Sequence, residues 1–169
     1  FIETFVKGIL AKVCVPFFNM VKSWVFEGEL EDPYQEFFVG SNAEVSIEHM
    51  WFKKYYLEQD MIPSFITPEF GSKILKIGKT INFIRQCCND SEWIINSNTL
   101  SVASQSFSYD TMLQLEVVIN KIATIANRRV MELIFRKYKL SLHCAALRKY
   151  MLLGQGDFIQ HLLDLLQSD

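Results

Sequence analysis

The stretch from Thr67 to Cys88 constrains this chain more than any other. Thr67 is a residue type that caps a helix through its side-chain oxygen, and Pro68 suits a first position whose N–H has no intrahelical partner. Glu69 adds negative charge at the positive end of the helix dipole. Phe70, Ile74, Ile77, Ile81, Ile84 and Cys88 then recur every three or four residues. That spacing is a heptad seam, one apolar stripe along one side of a helix. At about 1.5 Å of rise per residue, 68–88 reads as a rod of roughly 31 Å. A rod with one apolar side must bury it, so the rest of the fold is organised around this helix.

The flanking segments repeat the helical period. Residues 2–27 read as helix interrupted near Pro16, which lacks an N–H and disfavours helix at Val15. Beyond it Phe17, Met20, Val21, Trp24 and Val25 share a face, and Gly28 marks the stop. Asp32-Pro33 signals a helix start or a turn. Phe37, Phe38 and Val39 can pair as a short strand with 53–59 across the polar loop 40–46. Residues 89–109, rich in Asn and Ser, read as a loop with one short turn around Trp93. Asp110 is positioned to cap a helix whose buried side is Leu115, Ile119, Ile122, Ala126, Val130 and Leu133, continuing to about Tyr138. Two more helices cover 140–152 and 157–167. The expected fold is all-α, an elongated antiparallel helical bundle, with one short β-hairpin near 37–57.

Half of the 169 residues are apolar and 14% are aromatic, enough for a sizeable core. The net charge of −2 excludes nucleic-acid binding by the chain as a whole. The charges are nevertheless segregated. Residues 26–60 carry Glu27, Glu29, Glu31, Asp32, Glu36, Glu44, Glu48, Glu58 and Asp60 against Lys53 and Lys54. Residues 111–150 carry Lys121, Arg128, Arg129, Arg136, Lys137, Lys139, Arg148 and Lys149 against Glu116 and Glu132. Opposite fields of this kind steer like subunits together head to tail, although most charge runs are only solvated surface. The resulting candidates for a protein–protein contact are Glu27, Glu29, Glu31, Asp32 and Glu36 on one side, and Arg128, Arg129, Arg136 and Lys137 on the other.

Cys14, Cys87, Cys88 and Cys144 form no C-x-x-C pair and no evident disulfide framework, as expected in a reducing, intracellular compartment. No uninterrupted apolar run approaches 18 residues, and Glu3, Lys7 and Lys12 break any signal-peptide core. Membrane insertion is not expected. Asn89-Asp90-Ser91 fits a glycosylation sequon, which carries little weight without a secretory signal. The chain begins at Phe1 and ends inside a helical pattern, so it reads as an excised segment.

Motifs that would mark an enzyme fail on spacing. Gly78-Lys79-Thr80 has the end of a phosphate-binding loop, but the glycine required five positions earlier is Lys73, and the triplet lies inside the best helix. Gly71 and Gly78 instead share a face on which a neighbouring helix can come close, at about 1 kcal/mol of helix propensity each. Gly154-Gln155-Gly156 lacks the third glycine of a dinucleotide fingerprint, with Ile159 in its place, and follows a helix rather than a strand. It reads as a joint, in which Gly154 ends one helix in a left-handed conformation and Asp157 caps the next, or as a local distortion in one long helix. The hinge candidates are Gly154, Gly156 and Asp157. His143-Cys144 are adjacent, whereas two zinc ligands on a helix need spacings of three or four. His161, flanked by Asp157 and Asp164, fits a surface pair. No catalytic, cofactor or metal site is expected.

Four blocks together carry a resemblance: "WVFEGELEDPYQEFFV" (24–39), "MIPSF" (61–65), "ILKIGKTINFIRQCC" (74–88) and "LRKYMLLGQGDFIQHLLDLL" (147–166). In this order they resemble the gamma-tubulin complex protein family, in the form nearest to its component 3 and yeast spindle-pole-body branch. The blocks cover about half of the chain, and the helix at 110–138 fits one that the family carries between the last two. The resemblance implies a non-enzymatic scaffold of helical bundles that line up side by side in a ring, each holding a gamma-tubulin that templates a microtubule. It implies that 1–139 is the last part of the lateral-contact half and that 140–169 holds the first helices of the gamma-tubulin-binding half. It also implies residence in the cytoplasm and cytoskeleton, at the centrosome or spindle pole body. Lateral partners would be other components of the complex, and gamma-tubulin would be bound through the full-length protein. On this reading the segment is central shaft, and 154–157 is a joint between bundles. A general helical adaptor that binds a partner helix through the 70–88 seam is the alternative.

Overall fold

A computed structural model describes residues 2–46, 49–96 and 112–167. The expected cap at Asp110, and most of the 89–109 loop, lie outside the described residues. The chain divides into two compact units, Phe1–Arg128 and Arg129–Asp169.

The first unit starts with α1 (Ile2–Val13) and α2 (Val15–Lys22). Pro16 sits in the first turn of α2, where its missing N–H costs nothing, and the axis bends by 44° at the break. Pro16 therefore opens a fresh helix rather than kinking an old one. α2 runs on through a wide π-helical turn, Ser23–Glu27, which Gly28 terminates with φ +65°. The Gly28 N–H reaches the Trp24 carbonyl, and the Glu29 N–H reaches back to Ser23.

The hairpin expected near 37–57 is present, but its first strand starts at Val39 and runs into the expected loop, leaving Phe37 and Phe38 before it. β1 (Val39–Ser41) and β2 (Tyr55–Leu57) pair antiparallel, Val39 opposite Leu57 and Ser41 opposite Tyr55. Phe37, Phe38 and Val39 are buried together, which fixes this end of the hairpin in the core. A wide turn, Met50–Lys54, leads into β2, and a single 3₁₀ turn, Gln59–Met61, follows it.

α3 (Pro68–Gln86) is the helix that the seam dictates. The Thr67 hydroxyl accepts from the Phe70 N–H at 3.2 Å, Pro68 is first in the helix and Glu69 lies in its first turn. Ile74, Ile77, Ile81, Ile84 and Cys88 are buried and Phe70 is half-buried, each isoleucine contributing about 1.5–3 kcal/mol by leaving water. The partners on this seam come from the chain itself, notably Trp24 and Val25. Among the described residues the seam of α3 is thus covered from within the chain, which weighs against its serving as the docking face of the adaptor alternative.

The two glycines of α3 differ. A Cβ on Gly71 would make ordinary contacts at 3.5–3.8 Å with Ile62, Leu57 and Phe38. A Cβ on Gly78 would lie 2.0 Å from the fully buried Trp24 indole. Trp24 lies on Gly78 and donates from Nε1 to the Ile74 carbonyl at 3.2 Å. Gly28 packs on the α3 backbone at Asn82, whose side-chain amide donates to the Gly28 carbonyl at 2.7 Å. Close approach therefore occurs at Gly78 and Gly28, but not at Gly71.

α4 (Ser91–Asn96) supplies the short turn expected around Trp93. α5 (Met112–Glu132) places Leu115, Ile119, Ile122 and Ala126 in the same core, and Lys73 of α3 donates to its Asn120 at 3.0 Å. The second unit takes up the last turn of α5 and continues through the wide turn Leu133–Lys137, α6 (Leu140–Ala146), a further wide turn Leu147–Met151 and α7 (Gly156–Gln167). Leu133 is buried, whereas α7 exposes Leu162, Leu163, Leu165 and Leu166. Among the described residues the chain is mostly helical with one two-stranded sheet, the class expected. Among the described residues no single helix is long and apolar enough to cross a membrane.

Candidate interaction surface and helical joint

The acidic candidates fall into two groups. Glu29 turns toward α3 and pairs with the Arg85 guanidinium. Asp32 holds its own loop: one carboxylate oxygen accepts from the Glu36 N–H and the other from the Phe37 N–H, both at 2.9 Å. That pair of hydrogen bonds holds Asp32-Pro33 in a tight turn rather than a helix start. Glu27, Glu31 and Glu36 are exposed, Glu27 accepting from the Ser23 hydroxyl at 3.4 Å. Tyr34, at the tip of the turn, is 81% exposed.

Two depressions flank this turn. A groove of about 300 Å³ is lined by Pro16, Asn19 and Met20 of α2 and by Glu31, Asp32, Pro33, Tyr34 and Glu36. A cleft of about 140 Å³ lies between the turn and the hairpin, reaching Gly40, Ser41, Tyr56 and Glu58. Asp32 lines both. Charge counting found the acids but missed the groove. The available signal was Pro33-Tyr34 set between them, a rigid apolar pair in an otherwise polar turn.

The basic candidates lie at the end of α5 and just beyond. Arg128 and Arg136 are exposed; Arg129 is half-buried and pairs with Glu132 at 3.5 Å. The Lys137 ammonium stands 5.4 Å from the Tyr138 ring centre. Met131 and Phe135 are about half exposed on the same helical run.

The joint at 152–157 differs in detail from expectation. Leu153, not Gly154, adopts the left-handed conformation, with φ +51°. The Gly154 N–H then reaches the Arg148 carbonyl at 3.1 Å and the Gln155 N–H reaches Lys149 at 3.2 Å. Glycine is needed at 154 because a Cβ there would stand 2.7 Å from the Arg148 oxygen. Gln155, whose carbonyl accepts from Ile159, opens α7. Asp157 therefore lies inside the first turn of α7 rather than at its cap, and its charge there opposes a phosphate at this helix end. Tyr150 and Phe158 meet edge to face across the joint, with ring centres 5.3 Å apart.

Among the described residues no three His, Cys, Asp or Glu side chains are grouped to hold a metal ion. Burial raises the Cys87 thiol above its ordinary range, with the nearby Lys54 charge acting in the opposite direction. Burial likewise raises the Tyr55 phenol, which Arg85 and an Asn82 hydrogen bond counter. The Lys79 ammonium, lowered by burial, donates to the Trp51 carbonyl at 3.1 Å. These groups take part in packing and not in a shared cleft.

The comparisons with known proteins agree on one family. Residues 1–137 match the family model described as gamma tubulin complex component N-terminal. Gamma-tubulin complex component 3 of Arabidopsis thaliana is 38% identical over 170 residues, covering 97% of this chain and 20% of the relative. The human protein of the same name is also 38% identical, over 175 residues, covering all of this chain and 19% of the relative. Spindle pole body component alp6 of Schizosaccharomyces pombe is 38% identical over 163 residues, 92% of this chain and 19% of the relative. The chain thus spans about a fifth of the length of these curated relatives. With a family model matched over most of its length, the chain belongs to the gamma-tubulin complex component family.

Proposed function

We propose that this chain is the junction segment of a non-catalytic scaffold subunit of a gamma-tubulin complex, supporting microtubule nucleation at the centrosome or spindle pole body. The observation that carries this reading is the family match over 1–137, joined to whole-chain similarity to component 3 proteins. Gamma-tubulin is the partner of the full-length protein, and other components of the complex are its lateral partners. Residues 1–139 close the lateral-contact region and 140–169 open the gamma-tubulin-binding region. The family match ending at 137 supports that division. The joint at Gly154, Gly156 and Asp157 links helices at the start of the second region.

Lateral contact uses the exposed acids Glu27, Glu31 and Glu36 of one subunit and basic residues such as Arg128 and Arg136 on its neighbour. Glu29, Asp32 and Arg129 support these surfaces from within, since each is committed to a partner in its own chain. Arg128→Glu with Arg136→Glu should weaken association of the full-length protein with its neighbouring component and flatten its salt dependence. Unchanged association in sedimentation would remove these residues from the contact.

A further inference from the structure

We propose that the groove beside the 31–36 turn docks a helix of a neighbouring protein that presents arginine or lysine around one bulky apolar side chain. The proposal deepens the lateral-contact reading and rests on it for the identity of the neighbour. Its apolar lining is Pro16, Met20, Pro33 and the ring of Tyr34, and its charged lining is Glu31, Asp32 and Glu36, with no lysine or arginine among the lining residues. Asp32 is engaged by backbone N–H groups, while Glu31 and Glu36 form no ion pair among the described residues.

That combination selects one chemistry. A bare metal ion would gain nothing from methionine and proline, and an apolar ligand would leave the carboxylates uncompensated. An arginine or lysine satisfies both, because its stem lies on apolar surface while its charged head reaches a carboxylate. A volume of about 300 Å³ suits a few side chains from one helix face rather than a whole domain. The turn is also held in place before binding, by the two Asp32 hydrogen bonds and by burial of Phe37 and Phe38 just after it. A loop ordered in advance pays little further entropy on docking. Exposed tyrosine and arginine are residue types that anchor such contacts.

The ligand class has an example in this chain. Met131, Phe135 and Arg136 of the second unit are exposed, two bulky apolar side chains beside an arginine. A synthetic peptide of residues 127–138 is therefore a suitable probe. Its binding would be followed by fluorescence anisotropy against the full-length protein and its Glu31→Gln/Glu36→Gln, Tyr34→Ala and Asn19→Arg variants. The expected result is saturable binding to the unaltered protein, weakened at least tenfold in each variant, with a flatter salt dependence in the double glutamine variant. Since all four positions are exposed, thermal melts should be unchanged, and Asn19→Arg decides the matter if Tyr34→Ala alters them. No saturable binding, or equal binding to all variants, overturns the groove. Copurification of gamma-tubulin with the same preparations scores the scaffold reading separately, so either can fail without the other.

Discussion

Gly78→Ala and Gly71→Ala make the same chemical change seven residues apart on one helix, and the structure gives them opposite signs. Replacing glycine by alanine inside a helix gains about 1 kcal/mol of propensity at either position. At Gly71 the new methyl group enters ordinary van der Waals contact with Ile62, Leu57 and Phe38, so the gain stands. At Gly78 it would overlap the Trp24 ring, 2.0 Å from Cε2 and 2.1 Å from Nε1. That ring is fully buried and cannot swing into solvent. Overpacking of this kind costs about 1–3 kcal/mol, and displacing the indole also loses its hydrogen bond to Ile74, worth about 1 kcal/mol. Set against the propensity gain, Gly78→Ala should destabilise by about 2 kcal/mol. For a chain of this size that lowers the melting temperature by about 4–8 °C, while Gly71→Ala raises it by about 2–4 °C. Circular-dichroism melts of both variants provide the assay, and adding Trp24→Leu should recover part of the Gly78→Ala penalty because the two share one contact. Equal shifts for the two alanines, or a stabilised Gly78→Ala, would refute the packing of Trp24 on α3.

Thr67→Ala removes the α3 cap and should cost about 1 kcal/mol in a denaturant melt. Asp32→Ala leaves the Glu36 and Phe37 N–H groups without their acceptor; a loss of about 2 kcal/mol and faster amide exchange at Phe37 are expected. Thiol labelling of the native protein should find exposed Cys144 fastest, Cys87 slow because burial keeps its thiol protonated, and buried Cys14 and Cys88 reactive only on unfolding. The folded state holds the Tyr55 proton more tightly than the unfolded chain, so its stabilising effect is complete below the usual pKa of 10.0 and is lost as pH rises through the raised folded value. Tyr55→Phe should therefore flatten the alkaline end of the stability–pH curve; an identical slope would place the phenol in water.

Most of the architecture was legible because the relevant physics is local. The Thr67 cap, the isoleucine seam of α3, the Gly28 stop and the Leu115–Ala126 stripe each declare themselves within a few turns of helix. The hairpin was legible from three consecutive apolar residues and a tyrosine-rich partner run. What depends on distant residues was not legible. Nothing in the spacing of Gly71 and Gly78 distinguishes them; only Trp24, far away in sequence, does so. Glu29 looked like its acidic neighbours until Arg85 of α3 met it, and Asp32 proved to be the anchor of its own turn. At the joint, the glycine was expected to take the left-handed angle, but Leu153 does, because the Gly154 position is needed for the approach to the Arg148 carbonyl. The groove was not legible because it forms only where α2 meets the 31–36 turn, two segments apart in sequence.

The most direct test of the scaffold assignment is affinity purification of the tagged full-length protein from a soluble extract, with the amounts of co-eluting proteins measured. On the scaffold reading, gamma-tubulin co-elutes in near-stoichiometric amount, together with at least one other component of the complex. A full-length protein that elutes without gamma-tubulin, at a salt concentration where its own fold is intact, would contradict it.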